Sequence, residues 1–320
     1  MIAKLIVRRL AISIVILLAV SLLIFCATLL LPGDPARAIL GQQATPERIA
    51  ALHAQMNLDD PAWQRYLIWL GGLLTGDLGT SAASGLPVSQ MIGERAGASL
   101  FLMVIAAVIA VPAGILLGIW SALRRGKAVD STITGIALVL AALPEFVIGI
   151  ALVAIFATTV FNLLPAVTMA PPGTNVWDFP SQLILPTAVL VLVVTPYIAR
   201  MMRATMLEVL DSGYVEMARL KGVPERRVIL RHALPHAIGP VAQVAAIQLA
   251  WMAGGVVVVE FLFRYPGLGQ ALIDAVNYRD VQVVQALTML VAVIYMVVNL
   301  LADIVGILAD PKLRIGGEKR

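Results

Sequence analysis

The sequence has 320 residues, of which 60% are hydrophobic and 13% are charged, with a formal net charge of +4. Because a soluble globular domain carries about 25% charged residues, this composition excludes an ordinary soluble protein and predicts one embedded in a lipid bilayer. The small positive charge does not indicate a nucleic-acid partner, since basic residues also follow membrane topology. The single cysteine, Cys26, lies within an apolar run and has no second cysteine with which to form an intramolecular disulfide.

Six apolar runs in the sequence predict membrane-spanning helices. In chain order they cover residues 10–31, 99–122, 132–161, 183–199, 238–262 and 286–309. The first is too long for a signal-peptide core, and no small-residue cleavage site follows it, so a retained anchor is expected. Gly114 and Gly118 in the second run have the GxxxG spacing that permits close helix approach. Pro144 in the third run is expected to kink or divide that helix.

The predicted fold class is therefore an all-α polytopic membrane protein with six transmembrane helices in a single domain, residues 1–320. Residues 32–98 form a mostly polar segment, expected outside the cytoplasm. Within this segment, Thr45 and Asp60 are each followed by a proline, and this pattern predicts that a helix begins at each of the two places. The second of these helices has an aromatic face, formed by Trp63, Tyr66 and Trp69. This face is expected either to lie at the membrane interface or to pack in a small core. His53 is expected on the surface.

The distribution of the 23 lysines and arginines predicts the orientation. Most of them lie in the N-terminus, the 123–131 loop, the 200–237 loop and the C-terminal tail. The positive-inside rule places this set in the cytoplasm, and six helices then put both termini there. The expected location is a bacterial-type cytoplasmic (inner) membrane, in which the chain is a multi-pass protein.

The segment from Asp211 to Pro235, called here the 211–235 segment, is a charged stretch between two apolar runs. Residues 208–221 predict an amphipathic helix with acids near its start and bases at its end, which suits the helix dipole. Gly222 is placed to end this helix in a left-handed cap. Pro224 then begins a second helix, which Pro235 is expected to close. Such a helix pair either fits a groove on a cytosolic partner and passes motion to the membrane helices, or is a plain interfacial connector.

The spacing of Glu216, Ala218, Gly222 and Leu234-Pro235 resembles the EAA loop of type I ABC importer permeases, with departures at Met217 and His232. Further matches resemble the dipeptide/oligopeptide/nickel branch: Tyr214-Val215, Ala218-Arg219, Lys221-Gly222 and Arg231-His232-Ala233-Leu234. Markers along the chain resemble the first, B-type permease of that branch. They are Leu31–Ala36, Gly76–Ser81, Glu260–Phe263, Tyr265–Gly269, Arg279-Asp280 and Asp310–Arg314.

The resemblance implies a type I permease fold in which the 200–237 loop is a cytoplasmic coupling loop. It implies that an ATPase contacts Tyr214, Glu216, Ala218, Arg219, Lys221, Gly222, Arg231, Leu234 and Pro235. The implied partners are a second permease of the C-type, two cytoplasmic ABC ATPases and an extracytoplasmic substrate-binding protein. The implied cargo is dipeptides or oligopeptides, and nickel, glutathione or opines are the alternatives within the same machine.

The sequence contains no GxxxxGK[ST] phosphate loop, because Gly126-Lys127 lacks the upstream glycine. ATP and Mg²⁺ are therefore expected on the partner ATPases, and this chain is expected to hold no cofactor and to catalyse no reaction itself. His232 and His236 lie four residues apart, but no third ligand is evident, so no metal site is expected. A channel or secondary transporter without an ATPase is the alternative from another class. It would usually show charged residues along several helices or two repeated halves.

Three acids are predicted in or near the membrane: Glu145, Glu260 and Asp303. Ionisable groups at that depth usually face a cavity or a partner. Our hypothesis is that Glu145 lines the substrate pathway and meets a positive or polar group of the cargo. The alternative is a structural bond to the helix end freed by Pro144. Glu260, with Tyr265, Pro266 and Gly267, is a candidate for the outer pathway or gate, and Asp303 is expected to pair structurally or lie near the inner interface.

Overall fold

The computed structural model describes residues 2–30, 34–40, 44–55, 58–169 and 176–309. Within these ranges the chain is helical and contains no strand, apart from one isolated bridge between Thr80 and Pro87. Two compact units are present, one of Met1–Ser99 with Pro266–Met296 and the other of Leu100–Tyr265 with Val297–Arg320. The division into a single permease domain with segments 32–98 and 200–237 stays a prediction.

The helices follow one another in this order: α1 (Ile2–Leu29), α2 (Pro35–Leu40), α3 (Pro46–Gln55), α4 (Ala62–Thr75), α5 (Val88–Leu123), α6 (Ala128–Ala142), α7 (Glu145–Val153), α8 (Pro180–Leu210), α9 (Gly213–Leu220), α10 (Glu225–Arg227), α11 (Leu234–Leu262), α12 (Leu268–Asn277) and α13 (Val281–Ala309). A π-helical turn follows α7 at Ala154–Thr158, and another precedes α11 at Val228–Ala233. A short 3₁₀ turn, Val176–Asp178, comes before α8.

The described residues contain five helices that are long and apolar enough to cross a bilayer. The predicted number of six spans is reached when α6 and α7, which are bent by 107° at the break between them, are counted as one span. The break lies at Leu143 and Pro144, as predicted. Proline removes a backbone donor and holds the preceding residue extended, and Leu143 accordingly has φ −88° and ψ 134°.

Several helices are longer than the apolar runs that predicted them. An apolar run indicates only the part of a helix that lies inside the membrane, and the helix can continue beyond it. α5 begins at Val88 instead of residue 99, and α13 begins at Val281 instead of residue 286. Val88 packs in a buried cluster with side chains of α12 and α13. α8 continues past residue 199 to Leu210, and its Met202 and Met206 are fully buried. Tertiary packing therefore keeps these flanking turns helical.

In the first unit, α4 packs on α1 through aromatic side chains. The rings of Tyr66 and Trp69 lie 5.4 and 6.2 Å from the ring of Phe25. The Tyr66 hydroxyl lies 2.9 Å from Ser21 Oγ. The small-core interpretation is thus confirmed for Tyr66 and Trp69, whereas Trp63 is 66% exposed and remains available to an interface.

Two stretches singled out in the sequence meet in the same unit. The buried carboxylate of Asp280 accepts hydrogen bonds from Ser81 Oγ at 2.6 Å and from the Ala83 amide at 3.2 Å. Asp280 follows α12, and Ser81 lies in the turn before α5. These bonds tie the end of the Gly76–Ser81 marker, and the turn that follows it, to Asp280.

His53 is held between two carboxylates and is not free on the surface. Its Nε2 lies 3.0 Å from Asp34 Oδ1, and its Nδ1 lies 3.5 Å from Asp59 Oδ1. The hydrogen bond with Asp34 raises the pKa of His53, against a smaller opposing effect of burial. Burial raises the pKa of Asp34, but the bonds from His53 and the Ala36 amide lower it on balance.

In the second unit, α5 approaches α8 closely along its two spaced glycines. A Cβ on Gly118 would lie 2.6 Å from the Ala199 carbonyl oxygen, and one on Gly114 would lie 3.2 Å from that of Thr195. Side chains at these positions would collide with α8 backbone. The predicted role of the GxxxG spacing is confirmed.

Candidate functional site

The 211–235 segment folds around a small apolar centre of its own. Val215 and Ala218 on α9 are buried together with Val228 from the following π-helical turn, and Val209, Leu210 and Val223 pack against them. The amphipathic helix begins at Gly213, five residues later than predicted, because α8 runs to Leu210 and the chain breaks at Asp211 and Ser212. Ala218 is therefore a packing residue of the segment.

Gly222 ends α9 in the left-handed conformation, as predicted, with φ +73°. The Val223 amide donates to the Ala218 carbonyl at 3.2 Å, and the Gly222 amide donates to the Arg219 carbonyl at 2.9 Å. These two bonds form the usual glycine-capped helix end. No atom lies within 4 Å of a Cβ added at Gly222, so the need for glycine here is conformational and not steric.

An ion pair closes the turn between the two halves of the segment. Arg219 Nη2 and Nε lie 2.7 and 3.2 Å from the two carboxylate oxygens of Glu225. Arg219 Nη1 also reaches the Leu210 carbonyl at 3.4 Å. The bonds to Glu225 raise the pKa of Arg219, against a smaller opposing effect of burial. Arg219, which the sequence suggested as an ATPase contact, is thus engaged within the segment.

The prediction that Pro235 closes the second helix is wrong. The chain is helical from Glu225 through α10 and the π-helical turn Val228–Ala233, and it continues as α11 to Leu262. A proline ring collides with the carbonyl four residues earlier in a regular α-helix. The wider π-helical turn, which ends two residues before Pro235, accommodates the ring without ending the helix. The second half of the segment is therefore the first part of a membrane span.

The outward face of α9 carries apolar side chains that are about half exposed or more. Met217 is 53% and Leu220 is 76% exposed, while Tyr214 is 46% exposed and its ring lies 5.3 Å from that of His236. Glu216, Lys221, Gly222 and Arg231 are also exposed. Leu234 is half-buried and Pro235 is exposed at the start of α11.

A buried ion pair anchors the helix that leads into the segment. Arg203 on α8 donates to both carboxylate oxygens of Asp130, from Nε at 2.6 Å and from Nη2 at 2.8 Å. Ser121 Oγ donates to the same carboxylate at 2.5 Å, and the Gly126 amide donates at 3.1 Å. One carboxylate therefore ties together α5, the turn after it, α6 and α8.

A second ion pair joins the same turn to the segment itself. Arg125 Nη1 lies 2.8 Å from Asp211 Oδ2, and both side chains are well exposed. Screening by solvent keeps such a pair weak. Together with the buried pair it fixes the end of α8 against the 124–127 turn.

Glu145 lies at the break of the third span, as the first residue of α7. It is half-buried, and its Oε2 lies 2.5 Å from the position that a Cβ on Gly255 of α11 would occupy. The residue before α7, Pro144, has no side chain that could cap the helix, and the Glu145 carboxylate forms no hydrogen bond within the described residues. The alternative in which Glu145 bonds to the freed helix end is therefore not what the structure has.

Two models of one protein family match most of this chain. Residues 114–315 match the family model of the binding-protein-dependent transport system inner membrane component, and residues 1–91 match the model of its N-terminal region. The dipeptide transport system permease protein DppB of Escherichia coli K12 is 36% identical over 333 residues, covering 97% of this chain and 98% of DppB. The chain belongs to this family of transport permeases.

A Brucella melitensis biotype 1 protein named as a peptide transport system permease is also 36% identical, over 314 residues that cover 98% of this chain and 99% of the relative. The crystal structure of an amino acid ABC transporter with histidines superposes with a TM-score of 0.51 at 16% identity, covering 68% of this chain and 94% of that one. The permease thus shares its fold with a solved ABC transporter. It is a multi-pass protein of the inner membrane.

The candidate gate residues of the permease are mostly buried. Glu260, Tyr265 and Gly267 are buried, and Pro266 is half-buried. Burial, and then the charge of Glu260, raise the pKa of the Tyr265 hydroxyl. A role of these residues in the pathway or gate stays a prediction.

Some predictions for the permease lie outside the described residues. They concern residues 31–33 of the first marker, the tail marker Asp310–Arg314 and the side chain of Asp303. Across the described ranges, no three histidine, cysteine or carboxylate side chains are grouped as they would be to hold a metal ion.

Two features of the permease were missed from its sequence. One is the exposure of Leu220. A leucine on the charged side of an amphipathic helix could have indicated it. The other is the Asp130–Arg203 ion pair. An acid at the start of one apolar run and an arginine at the end of another could have indicated that each charge needs a partner. The sequence indicates both charges but not that residues 73 positions apart meet.

Proposed function

We infer that this permease is one of two membrane subunits of an ATP-driven importer that carries dipeptides or oligopeptides into the cytoplasm. Its relatives are named for peptide and dipeptide transport, and the match to them extends over nearly the whole chain. The other subunits are a C-type permease, two cytoplasmic ABC ATPases and an extracytoplasmic binding protein that delivers the peptide. ATP and Mg²⁺ bind to the ATPases, and this chain catalyses no reaction.

The observation that carries this proposal is the form of the 211–235 segment. It has its own packed centre, an ion-paired turn and an exposed apolar face at Met217 and Leu220. Exposed apolar side chains beside charged ones are typical of a protein interaction surface. The occupant we propose is the ATPase subunit, whose groove receives α9.

The connections of the segment support its use as a lever. α8 enters it after the buried Asp130–Arg203 pair, and α10, the π-helical turn and α11 leave it as one continuous helical stretch. A displacement of α9 is therefore passed to two membrane spans through only two short turns, at residues 211–212 and 221–224. The excess of basic residues in the 200–237 loop supports its placement in the cytoplasm.

Co-purification with the ATPases tests the proposal. Leu220→Asp places a charge on the exposed face of α9, and it should abolish both ATPase association and ATP-dependent peptide uptake. Leu74→Asp is the matched control, because Leu74 is 82% exposed at the end of α4, and it should leave association intact. If Leu220→Asp binds the ATPases as the wild type does, the docking surface is not on α9.

Uptake assays with the reconstituted complex test the identity of the substrate and the ATP-driven mechanism separately. ATP-dependent uptake of dipeptides or tripeptides supports the peptide assignment. ATP-dependent uptake of nickel, glutathione or opines instead would keep the importer and replace its cargo. Uptake that needs no ATP and no partner ATPase would favour a channel or a secondary transporter.

A further inference from the structure

Glu145 places a carboxylate at a break in a membrane span, beside a residue that has no side chain. α6 and α7 meet there at 107°. A Cβ on Gly255 would lie 2.5 Å from Glu145 Oε2, 3.3 Å from Cδ and 3.4 Å from Oε1. One carboxylate oxygen thus occupies the place that a side chain at position 255 would take, and a side chain there would displace it.

No cation of this chain balances the charge of Glu145 in the described ranges. Its carboxylate has neither a hydrogen-bond donor nor an ion-pair partner there. The sequence explains why, since residues 96–123, 128–199 and 237–263 contain no lysine, arginine or histidine. The positive end of α7 supplies about half an elementary charge. Any cation that pairs with the ionised carboxylate would therefore have to come from outside these helices.

We propose that the Glu145 carboxylate binds the protonated amino group of a peptide as it passes through the membrane. The inference rests on the proposed peptide cargo. A carboxylate that is half-buried at membrane depth is costly when unpaired, and such groups in transporters face a pathway or a partner. An ammonium group is compact and donates three hydrogen bonds, so it fits a carboxylate that is open on one side and backed by glycine on the other.

The test uses the complete complex in proteoliposomes with saturating binding protein. Uptake of radiolabelled trialanine is compared with that of N-acetyl-trialanine, which lacks the amino charge. The measured quantity is the ratio of the two rates in each variant. Because every assay uses the same binding protein, its own preference cancels when variants are compared with the wild type.

We expect Glu145→Gln to lower this ratio by about tenfold or more, the loss expected for a hydrogen bond to a charged group. Glu145→Asp should retain much of the preference because it keeps the charge. Gly255→Ala should lower the ratio because its methyl group displaces the carboxylate. Gly254→Ala is the control, since no atom lies within 4 Å of a Cβ there, and it should match the wild type.

Several results would overturn the inference. An unchanged ratio in Glu145→Gln would show that the carboxylate does not meet the amine. An equal loss of both peptides would assign Glu145 a structural or gating role, and loss of the second permease from the purified complex would identify that subunit as its partner. If the wild type takes up neither peptide under ATP, the proposed peptide function itself fails, and the inference falls with it.

Discussion

Gly222 is required for the backbone conformation it adopts, and not for lack of space around it. Its φ of +73° lies in the left-handed region, and no atom is within 4 Å of an added Cβ. A residue with a side chain loses about 1–2 kcal/mol in this conformation, although asparagine tolerates it better than alanine. The glycine therefore fixes the angle between α9 and the helical stretch that leads to α11.

Gly222→Ala should weaken ATP-dependent uptake severalfold, whereas Gly222→Asn should stay close to the wild type. The reason is the strain of about 1 kcal/mol that alanine suffers at positive φ. Uptake and ATPase co-purification, measured on the same preparations, check this. Equal behaviour of the alanine and asparagine variants would show that the conformation of residue 222 does not matter.

The His53–Asp34 pair makes the packing of α2 and α3 sensitive to pH. Because the folded pKa of His53 is raised, its contribution to stability is complete below the unfolded value of about 6.5. That contribution is lost as the pH rises through the folded pKa above 6.5. Amide exchange in α2 and α3, corrected for intrinsic rates, should therefore accelerate as the pH rises above about 6.5. The acceleration should vanish in His53→Gln, and its persistence there would contradict the assignment.

At the scale of helices, the contact between α5 and α8 depends on the absence of side chains. Gly118→Ala would press a methyl group against the Ala199 carbonyl oxygen, 2.6 Å away. Overpacking of this kind costs about 1–3 kcal/mol, so the thermal midpoint of the detergent-solubilised protein should fall. Gly135→Ala in α6 is the control, because its added methyl group would have no neighbour within 4 Å. Equal midpoints for the two variants would refute the close contact.

The Asp130–Arg203 pair should contribute more to stability than the exposed Arg125–Asp211 pair. Arg203→Met leaves a buried carboxylate unpaired, which costs about 3 kcal/mol or more. Adding Asp130→Asn should restore part of that loss, because the two groups are directly coupled. Thermal midpoints of the two single variants and the double variant give the coupling. Strictly additive effects would show that the pair does not act as a unit.

The elements that could be predicted from the sequence have local signals. Apolar length indicated the six spans, Pro144 indicated the break in the third, and Gly222 indicated the left-handed cap. The π-helical turn before Pro235 was not predicted. The charged residues and Pro235 suggested that one helix ends and another begins there, whereas the chain is helical from α10 through this turn into α11. The lengths of α5 and α8 and the Asp130 ion pair depend on tertiary contacts, which a pattern along the chain does not contain.

In the molecule as a whole, the 211–235 segment connects two membrane spans of the second unit. α9 carries the exposed face, α8 enters the segment, and the helical stretch ending in α11 leaves it. Family membership establishes a transport permease. The claim that makes the rest of the mechanism possible is that an ATPase holds α9.

Site-specific photocrosslinking in cells tests that claim most directly. A benzophenone amino acid at position 220 should form an adduct with the ATPase subunit, since Leu220 is the most exposed apolar residue of α9. The same probe at position 74, on α4, should form none. An ATPase adduct at 220 and not at 74 is the predicted result. The absence of an ATPase adduct at 220, or its presence at 74, would contradict the account.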